Sequence, residues 1–185
     1  TTAMVALKCM DGRINIPVAT QTPTGIVMPF RNLGGVFDLG WPHLGEVLQH
    51  HVMGMIDQGR RVLLLITYHY SNGDPKRGCA GFHFNKQAAL DHTWQIREQV
   101  THIFGQSHES VYPLVCGFET DEDAITLHSH VGGPTLNLGD CVGQDEKSMD
   151  HRLATLLPDM PDEMRNDLLP LLMGNLNHIA QVRQQ

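Results

Sequence analysis

The sequence lacks any run of 18 consecutive apolar residues, so nothing in it reads as a membrane span. It lacks a basic stripe: 13 Lys and Arg stand against 20 Asp and Glu, and the net charge is −7 with His neutral. An acidic chain of this kind argues against nucleic acid as a partner. It has four cysteines, Cys9, Cys79, Cys116 and Cys141, and no close pair that repeats. A disulfide framework is therefore not expected, and a reducing, cytoplasmic setting fits better. No internal repeat, low-complexity tract or interdomain linker is visible, and no signal peptide is read at the start. The abrupt entry into an apolar strand suggests a domain excised from something longer. What remains is 185 residues, 41% hydrophobic and 18% charged, enough for one domain (1–185) with a real core.

Ala3 to Met10 (AMVALKCM) reads as a buried strand. Gly12 to Gly25, with two prolines and no helical spacing, reads as loop. Ile26 to Arg31 reads as a second strand, irregular or at an edge because of Pro29. Trp41 to Gln58 is predicted helical: Leu44, Leu48, Val52, Met55 and Ile56 share one face, Pro42 suits the first turn and Gly59 the end. Arg61 to Tyr70 contains VLLLIT, the continuous apolar run of a central parallel strand buried on both faces. Ser71 to Gly81 reads as a polar loop and Lys86 to Phe104 as a helix. Val111 to Phe118 and Ala124 to His128 read as strands joined by an acidic turn. From about Asp145 the chain reads as helices, with Pro161 at a helix start and Pro170 breaking or kinking the last one. The alternation predicts an α/β domain with a largely parallel central sheet flanked by helices.

In open α/β sheets, ligands gather beyond the carboxyl ends of the strands. Cys9 and His69 stand at two such ends, and Cys79 follows in the next loop. If the two strands are parallel neighbours, these side chains can converge. Two thiolates and an imidazole suit zinc, and three protein ligands leave a fourth position open. Taken alone, Cys9 reads as a core thiol and His69 as an ordinary strand-end histidine; Cys116 and Cys141 are read as core thiols here. The company of Cys9 shifts the balance. In extended chain, Cys9, Asp11 and Arg13 would share one face. Arg13 could then grip Asp11 with a two-pronged hydrogen bond, keeping the carboxylate charged and aimed. Among 12 histidines, His43, His50, His51 and His83 are candidate proton shuttles that the sequence does not rank.

These residues resemble the β-class carbonic anhydrases. The resemblance rests on CMDGR at 9–13, RNLGG at 31–35, then His69 and Cys79, and more faintly on CGFETDEDAITL. Nine residues separate His69 from Cys79, where the ordinary β-class has two. That wider loop is more similar to the divergent relatives: the diatom cadmium-type (ζ) enzymes, the carboxysome shell enzymes and the low-carbon-dioxide-inducible B proteins. The ζ repeats share the pattern at Leu7 to Arg13 and at Gly78 to Phe82. The resemblance implies a β-carbonic-anhydrase-like fold and reversible hydration of carbon dioxide to bicarbonate by a metal-bound hydroxide. It implies Zn2+, with Cd2+ or Co2+ as substitutes, on Cys9, His69 and Cys79, and Asp11 and Arg13 as orienting residues. Gly34 and Gly35 would let backbone close over the substrate pocket. A homodimer or higher oligomer is expected, and a carboxysome or plastid is a possible setting. Two alternatives stay open: hydrolysis of carbonyl sulfide or carbon disulfide on the same site, and an inactive zinc-binding scaffold. A direct Asp11 ligand would favour the scaffold, by closing the site. The His-x-Glu with Pro-Cys-x-x-Cys pair of zinc deaminases and a dinucleotide Gly fingerprint are both absent.

Overall fold

The computed structural model describes residues 1–105 and 109–185. Six strands form one sheet: β1 (Thr2–Cys9), β2 (Val27–Asn32), β3 (Arg61–Tyr70), β4 (Val111–Glu119), β5 (Ala124–His128) and β6 (Thr135–Asn137). The order is β2-β1-β3-β4-β5-β6. β1, β2, β3 and β4 are parallel to one another; β5 pairs antiparallel with both β4 and β6. The helices are α1 (Ile16–Thr20), α2 (Pro42–Asp57), α3 (Lys86–Phe104), α4 (Glu146–Leu156) and α5 (Asp162–Val182). Among the described residues no helix is long and apolar enough to cross a membrane.

Strand alternation builds two cores. Met4 and Ala6 of β1, Leu63 and Leu65 of β3, and Leu114 and Cys116 of β4 face one side, under residues of α1, α4 and α5. Val5 and Leu7, Leu64 and Ile66, and Val115 face the other, under α2 and α3. Leu63, Leu64 and Ile66 are fully buried. Each such side chain contributes about 1.5–3 kcal/mol of transfer free energy. Burial on both faces is why β3 is apolar at successive positions rather than alternate ones.

The expected elements are present, and β2 is an edge strand. Asn85 and Asp145 cap α3 and α4 by accepting from Ala88 N (3.0 Å) and Ser148 N (2.8 Å). One reading needs correction. Gly12 to Gly25 is not all loop: Asn15 accepts from Val18 N and Pro17 starts the five-residue α1. A helix that short shows no periodicity. The strand β6 falls between His128 and Asp145, where the sequence gives no reading. α5 runs through Pro170, so of the two expected outcomes, a break or a kink, the break does not occur. Pro170 and Asn166 are exposed, so the carbonyl that loses its helical partner can take water, while Leu168, Leu169, Leu171 and Leu172 stay buried.

Candidate metal centre

β1 and β3 are parallel neighbours, Leu7 opposite Ile66, so their carboxyl ends lie side by side. Cys9 is the last residue of β1 and His69 the penultimate residue of β3. Cys79 opens the 3-10 turn Ala80–Phe82 in the loop that follows. The three ligand atoms lie within 4.8 Å of one another, and all three residues are buried. Both ring nitrogens of His69 are buried without a hydrogen-bond partner. Such a histidine is costly unless something fills its lone pair. Burial pushes its pKa down, helped by Arg13 and Lys8 and opposed by Asp11, so the imidazole is held neutral, the form that binds metal. Burial, with the neighbouring Cys9, pushes the Cys79 thiol up to about 11. A coordinating cation is the usual agent that removes such a proton. The donor set, two sulfurs and one nitrogen, fits a zinc-like ion.

Asp11 and Arg13 pair as expected, but not by strand alternation, since β1 ends at Cys9. They meet in a turn. Asp11 Oδ1 accepts from the Arg13 backbone N–H (2.9 Å) and from Arg13 Nε (3.0 Å), and Oδ2 accepts from Nη2. The Asp11 carbonyl accepts from Ile14 N (3.1 Å). Arg13 holds the Asp11 carboxyl below its ordinary value by these hydrogen bonds, against the effect of burial. Whatever stability the pair contributes is present above the ordinary aspartate range and is lost as pH falls through the depressed value. Asp11 is not one of the converging ligands.

Gly34 and Gly35 lie against the Cys79 sulfur and the Cys9 Cβ. Cys79 donates to the Gly34 carbonyl (2.6 Å). Both glycines have positive φ, +72° and +68°. A Cβ on Gly35 would stand 3.3 Å from Cys79 Sγ and 3.6 Å from Cys9 Cβ; one on Gly34 would stand 2.8 Å from Gly81 Cα. Gly34→Ala is therefore expected to cost about 1–3 kcal/mol from backbone conformation, with the collision against Gly81 adding to it. Chemical denaturation would read the change, and an unaltered midpoint would contradict the close approach.

Sequence reasoning missed two participants. Lys8 is only 2% exposed, and its ammonium donates to the Ile14 carbonyl, tying down the turn that carries Asp11 and Arg13. Burial, with Arg31 nearby, lowers its pKa to about 8. The signal was present: a lysine inside an apolar strand. Phe118, from β4, packs with Cys9, Ile14 and Cys79 as an apolar wall, and only the sheet order brings it there. His43, His50 and His83 are exposed and His51 is partly buried; none of the four joins the converging ligands.

Residues 3–146 match the family model of the carboxysome shell carbonic anhydrase catalytic domain. The chain belongs to this family. The carboxysome shell carbonic anhydrase of Prochlorococcus marinus (strain MIT 9313) is 27% identical over 204 residues, covering 95% of this chain and 40% of that protein. Those of Halothiobacillus neapolitanus (strain ATCC 23641 / c2) and Parasynechococcus marenigrum (strain WH8102) are 31% and 32% identical. They cover 65% of this chain and 26% and 23% of their own lengths. The chain thus spans well under half the length of the shell carbonic anhydrases it matches. The solved β-carbonic anhydrase CcaA superposes with a TM-score of 0.53 at 10% identity, covering 73% of this chain and 77% of that one. That likeness concerns the fold, which is the β-carbonic-anhydrase-like α/β architecture expected from the sequence.

Proposed function

We propose that this chain catalyses reversible hydration of carbon dioxide to bicarbonate at a metal ion, Zn2+ by preference, held by Cys9, His69 and Cys79. The observation that carries the proposal is the buried His69 ring, unpartnered at both nitrogens, between two buried thiols. A metal there would supply a Lewis acid that lowers the pKa of water toward about 7. The chain's own residues do the rest. Asp11, gripped by Arg13, offers a fixed carboxylate lone pair to the attacking water's proton and so aims its oxygen. Lys8 holds that turn in place. Phe118 and Ile14 keep one wall apolar, which suits a substrate without charge. The Gly34–Gly35 backbone lies against the Cys79 sulfur and limits solvent there.

Both carboxylate oxygens of Asp11 are engaged by Arg13, and this argues against the closed, non-catalytic scaffold. No observation favours carbonyl sulfide or carbon disulfide over carbon dioxide. The test is stopped-flow hydration together with metal analysis. The expected result is about one metal ion per chain and hydration abolished by a chelator. Full metal loading without hydration would refute the proposal.

The carboxysome is the proposed setting, because the matched relatives are carboxysome shell enzymes. We also propose that residues 1–185 act as one domain, since α4 and α5 beyond the family match supply much of one core. A homodimer or higher oligomer is expected. The edge strand β2 exposes Met28, and the segment through α2 exposes Trp41, Val47 and Met53. Light scattering giving only the 20.6 kDa species would contradict it.

A further inference from the structure

On the face of the sheet covered by α1 and α5 lies a cavity of about 30 Å3 lined almost wholly by apolar atoms. Leu65 and Thr67 of β3, Phe118 of β4, Ile125 of β5 and Leu172 of α5 form much of its wall. A water needs roughly 10–15 Å3 and two or more polar partners. The space suffices, but the partners do not. The hydroxyls in the wall are already turned to other acceptors: Thr67 donates to the Leu7 carbonyl (2.8 Å) and Thr20 to the Ile16 carbonyl (2.7 Å). No donor is left facing inward from these two, so the space favours an uncharged apolar guest.

The cavity adjoins the metal centre through shared side chains. Phe118 and Ile125 line it and also pack in the cluster around Cys9 and Cys79. Phe118 stands in register with His69 across β3 and β4, and Thr67 precedes His69 by two residues on the same strand face. Phe118 and Ile125 are thus common to the cavity wall and to the packing around Cys9 and Cys79.

We propose that this cavity is a holding site for carbon dioxide. The proposal rests on carbon dioxide hydration as the activity. Carbon dioxide is linear, has no dipole and fits a space of this size. Its electron-poor carbon can rest against a threonine oxygen whose proton points elsewhere. Bicarbonate is excluded, because an anion would be buried with no donor to receive it. The chain thereby keeps neutral substrate on the apolar side of Phe118, and the charged product must leave by the polar side, where Asp11 and Arg13 stand.

Xenon under pressure probes the space, since dry apolar cavities take it up. Infrared spectroscopy of dissolved carbon dioxide probes the guest, at a pH where it outweighs bicarbonate. The expected result is one xenon in the cavity and a displaced, narrowed carbon dioxide band that added bicarbonate does not compete away. Leu172→Phe, which fills the space from α5, should lose both signals while keeping its metal. Leu172→Ala, which enlarges the space, should keep both, so a poorly folded Phe variant does not decide the matter. Ordered water in place of xenon, or xenon without a displaced carbon dioxide band, overturns the proposal. So does a displaced band that survives unchanged in Leu172→Phe. Failure of the proposed function reads differently: no hydration, with the xenon and the displaced band still present.

Discussion

Asp11→Asn is expected to keep the fold and the metal and to lose hydration activity by about 10²- to 10³-fold. Asparagine fills the same volume, and neither Cys9, His69 nor Cys79 depends on the Asp11 charge for its position. The geometry that changes is the fork. Arg13 reaches Asp11 through Nε and Nη2 as well as its backbone N–H; two of these donors fill Oδ1 and one engages Oδ2, which leaves Oδ2 with the free lone pair in a defined direction. An amide answers with one oxygen and an NH2 that faces the guanidinium as donor against donor. It either rotates out of the fork or presents a donor where the attacking water needs an acceptor. Arg13→Ala should act in the same direction, by freeing Asp11 to swing. The check is stopped-flow hydration on protein of measured metal content. Asp11→Asn turning over at the parent rate with full metal would show that the orienting group lies elsewhere.

Cys79→Ser is expected to lose the metal. The loss in affinity should exceed the 10–100-fold typical of removing an outer partner of a ligand, because an anionic sulfur donor is removed outright. The shape is nearly conserved, and a serine hydroxyl can still donate to the Gly34 carbonyl, so folding should survive. Competition with a chromophoric chelator reads the affinity. Unchanged metal content would remove Cys79 from the ligand set. The same site predicts the pH behaviour of the parent. Burial pushes the Cys79 thiol up to about 11, so metal binding must release its proton. Affinity should therefore fall as pH falls. His69, whose pKa burial lowers, takes up a competing proton only in more acid solution. Titration of protons released on adding metal would check this.

Much of the site is legible because its chemistry is local in sequence. Cys9, Asp11 and Arg13 fall within five residues, and the grip of Arg13 on Asp11 follows from a turn that any short segment of that composition can make. The reason first read from the residues was wrong, however. The pairing comes from a turn after the strand, not from alternation along it. Lys8 was visible as a charge in an apolar strand, yet its role needed the Ile14 carbonyl beside it. The glycines at 34 and 35 announced a turn, but not that Gly34 would press against Gly81, 47 residues further on, and Gly35 against Cys79 and Cys9.

The sequence was enough for the long elements, though not for the short α1 and β6. An apolar run such as VLLLIT can be buried on both faces only in a covered parallel sheet, and helical spacing in 42–57 and 86–104 has one amphipathic solution. It also determined the donor chemistry, since thiols and an imidazole at strand ends carry their ligand character wherever the strands go. Only the tertiary structure decided that β1 lies next to β3, which turns three residues spread from 9 to 79 into one cluster within 4.8 Å. It alone made Phe118 and Ile125 shared between the packing around that cluster and the wall of an apolar cavity. The physical reason is range. Periodicity and capping act over a turn or two of chain, whereas strand order and the packing of α5 on the sheet come from burying two apolar faces at once. No short stretch of sequence records how that burial is shared.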